Sequence, residues 1–207
     1  MLHLDSGLLL MGAEFMRPHD TTAEYHAGTA AQAAQPGRKI LFVEPFSGIS
    51  GDMLLGALLD LGIDLARVEE KLRLLPLKGY SLSATRCARA GIQAVKFDAR
   101  CDEGRARGHE HRAFREIRAM IESSGLSDWA KQRSIEAFRR LAEAEGKIHN
   151  LPLEDVYFHE VGAVDSIIDI VGAVAAMEDL LPVRVVSAPV NVGQGALECR
   201  HGIYPAP

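Results

Sequence analysis

A chain of 207 residues that is 47% apolar can bury one sizeable core, or a core with a small subdomain. Its formal charge of -5 excludes a protein that grips nucleic acid by its phosphates, which needs a basic face, although local sites for small anions remain open. Cys87, Cys101 and Cys199 lie far apart without a C-x-x-C pair, which points to a reducing, cytoplasmic setting. The early apolar run LLLMGA follows Asp5 and is too short to serve as a signal peptide or membrane span.

Residues 1 to 37 show neither strand nor helix period and end in Gln35-Pro36-Gly37, so residues 1–38 are expected to be a disordered extension before a domain spanning 39–207. Ile40 to Val43 has the continuous apolar character of a buried strand. From Asp52 onward Leu and Ala recur at helical spacing until Gly62. A second helix runs from Leu65 to Leu75 and is closed by Pro76. Tyr80 to Cys87 and Ala94 to Arg100 alternate as a hairpin around Ala90-Gly91, followed by the polar loop GRARGHEH. His111 to Ser123 predicts a helix. Ser127 caps a long one with Trp129, Ile135, Phe138, Leu141 and Ile148 facing inward, and the two form an antiparallel pair. Val156 to Phe158 reads as a strand, HEVGAVD as a loop, Ser166 to Leu180 as an apolar helix and Val183 to Val192 as a further β-like stretch. The sum is an α/β or α+β domain, a mixed sheet with helices packed against it.

Two stretches carry chemistry. In FSGISGDM, Gly48 and Gly51 permit close backbone approach, Ser47 and Ser50 supply hydroxyls, and the following helix start presents unpaired N–H groups, so the turn can hold an anion. Asp52 there either caps the helix or holds a divalent ion that accompanies a phosphate. A plain capped strand-to-helix connection explains the same residues. In FHEVGAVDSIIDI, His159 and Glu160 leave a strand while Asp165 and Asp169, four apart, share a helix face. One imidazole with several carboxylates suits Mg, Mn or nickel. Capping by Asp165 or Ser166 accounts for the carboxylates but not for the His-Glu pair. His109 and His111 form an H-x-H in the polar loop, and Cys199, Arg200 and His201 follow a glycine-rich turn. Thiolate and imidazole are nickel ligands, and Arg200 can pair with phosphate or carboxylate.

EPFSGISGDMLLGALLDLG, HRAFREIRAMIESSGLSD, LAEAEGKIHNLPLEDVYFHEVGAVDSIIDIVGA and GQGALECRHGIYPAP together resemble the N-terminal half of the LarC family, the nickel-insertion proteins of nickel-pincer cofactor biosynthesis. The resemblance runs from about Lys39 to the last residue. It implies a CTP-dependent cyclometallase, a lyase-class nickel chelatase that inserts Ni2+ into pyridinium-3,5-bisthiocarboxylic acid mononucleotide. The product is the cofactor of lactate racemase, and Mn2+ or Mg2+ accompanies CTP. Catalytic roles then fall to Asp52, His159, Glu160 and Asp165, and cofactor binding to Ser47, Gly48, Ser50, Gly51 and Arg200. The metal candidates are His159, Asp165, Asp169, Glu44, His109, His111 and His201.

Glu44 stands where the family usually has Asp, which lengthens the arm of any ligand there. The family's C-terminal domain is not in this chain, so a fragment or split-gene product whose catalysis is incomplete alone is expected, as is a homo-oligomer. Two other classes fit the residues: a non-catalytic nickel-binding or scaffold module, and a Mg-dependent phosphohydrolase or nucleotidyl transferase.

Overall fold

The computed structural model describes residues 2–5, 39–101, 112–158, 162–181, 184–199 and 202–206. Three strands form a mixed sheet: β1 (Leu2–Asp5), β2 (Ile40–Val43) and β5 (Arg184–Ser187), with β2 in the middle. β1 runs antiparallel to β2, and β5 runs parallel to it with Leu41 opposite Val185. The apolar run at 40–43 is thus the predicted strand, with Leu41 and Val43 buried. No strand was expected in the first 37 residues, yet the backbone of Leu2–Asp5 pairs along all of β2. The predicted stretch from 183 to 192 forms a ladder only over Arg184–Ser187.

Between β2 and β5 come α1 (Gly51–Asp60), α2 (Leu65–Leu72) and a hairpin of β3 (Tyr80–Arg89) and β4 (Ile92–Cys101). The Asp64 side chain caps α2 by accepting from the Ala66 N–H at 3.0 Å. Ala90 and Gly91, at φ of 49° and 81°, make the two-residue turn, so the strands run closer to the turn than the alternation indicated. α1 lies on this hairpin. A Cβ on Gly56 would come within 2.3 Å of the Val95 carbonyl oxygen, so only glycine permits the contact.

α3 (Phe114–Glu122), α4 (Asp128–His149) and α5 (Val164–Leu180) complete the helical layer, and β6 (Ala196–Cys199) with β7 (Gly202–Pro205) forms a second hairpin. α3 begins at Phe114, short of the predicted His111; the Phe114 N–H donates to Val156 O at 2.9 Å, and the Glu116 carboxylate accepts from the N–H of the N-cap residue Ala113 at 2.8 Å. α5 is the centre of the core. It packs on α1, α2, α4 and β4, with Ile167, Ile168, Val171 and Ala176 fully enclosed. Each such branched side chain contributes about 1.5–3 kcal/mol relative to exposure. Ser127 caps α4 as predicted, accepting from Ala130 N–H at 3.0 Å, and α3 and α4 pack together.

The inward face of α4 differs from the reading above. Ala130, Ser134, Phe138, Ala142 and Gly146 point inward at i+4 spacing, whereas Trp129 is 42% and Ile148 79% exposed. Small residues win because the neighbours approach closely: a Cβ on Gly146 would meet the Leu151 carbonyl oxygen at 2.9 Å. Val156 to Phe158 is not a sheet strand either. It makes one antiparallel bridge, Ala113 to Tyr157, with Phe114 N–H donating to Val156 O and Phe158 N–H to Arg112 O. Among the described residues no helix is long and apolar enough to cross a membrane.

Candidate functional site

Because β2 and β5 are parallel, the segments leaving them emerge at one edge, the position where open α/β sheets gather ligand-binding loops. Half-buried Glu44 follows β2, then buried Pro45, the exposed Phe46 and Ser47, and α1. From β5, the Ala188 N–H still bonds to Val43 O at 2.9 Å and the Asn191 N–H to Pro45 O at 3.3 Å. The Asn191 side chain then ties the two segments together. Its Nδ2 donates to Phe46 O at 2.9 Å while its Oδ1 accepts from the Gly193 N–H at 2.9 Å. Gly48 has φ +85°, and a Cβ there would stand 3.3 Å from Asn191 O, so glycine answers both the torsion and the space.

Ser50 occupies the N-cap position of α1 without making a side-chain cap bond; its hydroxyl instead donates to Asp52 Oδ1. The capping explanation fails at α5 too. That helix starts at Val164, its N-cap is Ala163, which has no side chain able to cap, and Asp165 Oδ1 accepts from the adjacent Ser166 N–H at 2.8 Å. Asp165 and Asp169 lie one helical turn apart in the first turns of α5, Asp165 exposed and Asp169 half-buried.

Gly51 brings the two stretches together. A Cβ there would fall 2.4 Å from Asp169 Cβ and 3.1 Å from its Cγ, a separation no side chain tolerates. The close approach that glycine permits here is to the side of α5. This contact lets the Asp52 N–H donate to the Asp169 carboxylate, and Asp52 and Asp165 both lie within electrostatic range of Asp169. The Asp169 carboxyl is consequently pushed up to about 6. Burial is the largest cause and the charges of Asp52 and Asp165 follow, against the opposing pull of the Asp52 N–H.

His159, Glu160, His109, His111, Arg200 and His201 lie outside the described residues, and Cys199 ends β6. Among the described residues no three His, Cys, Asp or Glu side chains are arranged to hold a metal ion. The aspartates are oxygen donors of the kind hard divalent cations take, and carboxylate also accepts nickel. Asn191 was missed by the sequence reading, where its one signal was its place at the head of the NVGQG turn after a strand.

A family-wide sequence profile described as "Nickel insertion protein" matches residues 41–207. The pyridinium-3,5-bisthiocarboxylic acid mononucleotide nickel insertion protein of Geobacillus kaustophilus is 45% identical over 175 residues, covering 82% of this chain and 43% of its own length. Proteins of the same description from Staphylococcus saprophyticus and Desulfitobacterium hafniense are 44% and 42% identical, over 81% and 82% of this chain and 42% and 41% of their own lengths. The chain spans less than half the length of these relatives. No solved structure matches it.

Proposed function

The chain belongs to the nickel insertion protein family, and from this premise we propose that it supplies the N-terminal half of a CTP-dependent cyclometallase. That enzyme inserts Ni2+ into pyridinium-3,5-bisthiocarboxylic acid mononucleotide in the cytoplasm, and the product passes to lactate racemase. The remaining C-terminal half is its obligate partner. The relatives' shared name supports the substrate and the cargo ion.

The observation that carries the reading is the meeting of Asp52, Asp165 and Asp169 beside the loop that follows β2, with Asp169 pushed up to about 6. The like charges of Asp52 and Asp165 acting on Asp169 would be relieved by a divalent cation, whose approach lowers the Asp169 pKa and so favours its own ligand. An all-oxygen donor set fits Mn2+ or Mg2+. Asp52 and Asp169 would hold that ion, which supplies charge neutralisation for the phosphates of CTP. The backbone N–H groups and hydroxyls of Ser47, Gly48, Ser50 and Gly51 would orient a phosphate on the same edge, with Arg200 as its charged partner. Nickel, the cargo, would pass through His159 and Asp165 with Glu160 and Glu44 nearby in sequence to the site segments, and through the imidazoles of His109, His111 and His201. Such hard and borderline donors release an ion that a closed four-thiolate site retains.

Equilibrium dialysis tests the site. The chain is expected to bind Mn2+ and Ni2+, and the Asp165→Ala, Asp169→Ala double variant to lose at least tenfold in affinity with an unchanged circular dichroism spectrum. Equal affinity in the double variant overturns the assignment.

A further inference from the structure

Phe46 is 65% exposed, unusual for a large aromatic residue on a segment that is firmly held. Its predecessor Pro45 is buried, and the Pro45 carbonyl accepts from both Gly48 N–H at 3.1 Å and Asn191 N–H at 3.3 Å. The Phe46 carbonyl itself accepts from Asn191 Nδ2 at 2.9 Å. The Gly193 N–H fixes which end of that amide is the acceptor, so the NH2 end is the one turned to Phe46. Three hydrogen bonds thus hold the backbone at Pro45 and Phe46, and a fourth holds the Asn191 side chain, beside a ring left in solvent. Ile49 on the same loop, Met53 in the first turn of α1, and Val190 and Val192 on the segment Asn191 belongs to are also exposed, giving the edge an apolar rim.

We propose that Asn191 positions Phe46 as the stacking face for the flat, cationic pyridinium ring of the substrate. The inference rests on the function proposed above and assigns the ring, rather than the phosphate, to this side of the loop. A face held in place before the ligand arrives costs less ordering on binding than a mobile one. A phenyl ring attracts a cationic aromatic through its quadrupole as well as by contact.

The test uses the 207-residue chain with two probes: nicotinic acid mononucleotide, which carries a pyridinium ring, and ribose 5-phosphate, which does not. Calorimetry is expected to show Phe46→Ala weakening the ring-bearing probe about tenfold, which is ~1.4 kcal/mol, while ribose 5-phosphate changes less than about twofold. Single-base stacking on aromatic side chains gives losses of this size. Phe46→Trp should restore the affinity. Asn191→Asp, which keeps the acceptor for Gly193 and removes the donor to Phe46, should weaken the ring-bearing probe at least about threefold and spare the other. Equal effects of Phe46→Ala on both probes, or none on either, overturn the stacking assignment alone. A folded wild-type chain that binds neither probe overturns it together with the functional reading beneath it.

Discussion

Replacing Asp169 by Asn isolates the strain in the carboxylate cluster. The amide keeps an oxygen to accept from the Asp52 N–H, preserves the shape that fits against Gly51, and removes the charge. In the folded chain the Asp169 carboxyl titrates near 6, above an unfolded aspartate, so the stability its protonated form contributes is complete below about pH 4 and is lost as pH rises through about 6. Two pH units set a ceiling of roughly 3 kcal/mol. Because the carboxylate is only half-buried and solvent screens it, the expected gain is about 1–2 kcal/mol. Urea unfolding in chelator-containing buffer should therefore find Asp169→Asn equal to wild type at pH 4 and more stable by that amount at pH 7.5, with the same m-value. Added Mn2+ should narrow the gap by stabilising wild type more than the variant. A variant less stable than wild type at pH 7.5, or a gap that does not change with pH, would refute the reasoning.

Gly51→Ala places a methyl group into Asp169 and should cost about 1–3 kcal/mol in urea unfolding. It should also weaken Mn2+ binding severalfold by dialysis; full retention of both would show that α1 can shift without consequence. Lys71 Nζ binds Glu178 and Asp179 at 2.8 Å each and the Ala175 carbonyl at 3.0 Å, joining α2 to α5, and the Asp179 side chain is 8% exposed. Burial pushes the Glu178 carboxyl up, but hydrogen bonds from Lys71 and Ser127 outweigh it and leave it below the usual value. Lys71→Met should cost about 2–4 kcal/mol near pH 7. A depressed carboxyl contributes above its unfolded pKa, so this penalty should shrink as pH falls below about 4, which thermal melts at pH 3 and pH 7 would read.

Local signals survive folding, and distant ones do not announce themselves. Gly62 and the Ala90-Gly91 turn stop their elements by backbone geometry that needs no partner, and they read correctly from the chain, whereas α2 ends at Leu72, short of the Leu75 end that Pro76 suggested. The long motifs around FSGISGDM and FHEVGAVDSI pointed to the family that the profile match shows. Hydrophobic size misled on α4, where Trp129 and Ile148 look like core residues but Ala130, Ala142 and Gly146 are the ones close packing requires. Asn191 was invisible because its partner Phe46 lies 145 positions away, and polar stitching of two loops leaves no period. Gly51 was legible as a glycine that something must approach, but the sequence did not identify the approaching group as Asp169.

The central claim is best tested by reconstitution. The chain, with or without a separately produced C-terminal half of a family member, would receive the bisthiocarboxylate mononucleotide, Ni2+, CTP and Mn2+, and be scored by activation of apo lactate racemase. The account predicts activation only when both halves are present, and its loss in the Asp165→Ala, Asp169→Ala variant. Activation by the C-terminal half alone, at the level of the pair, would contradict it.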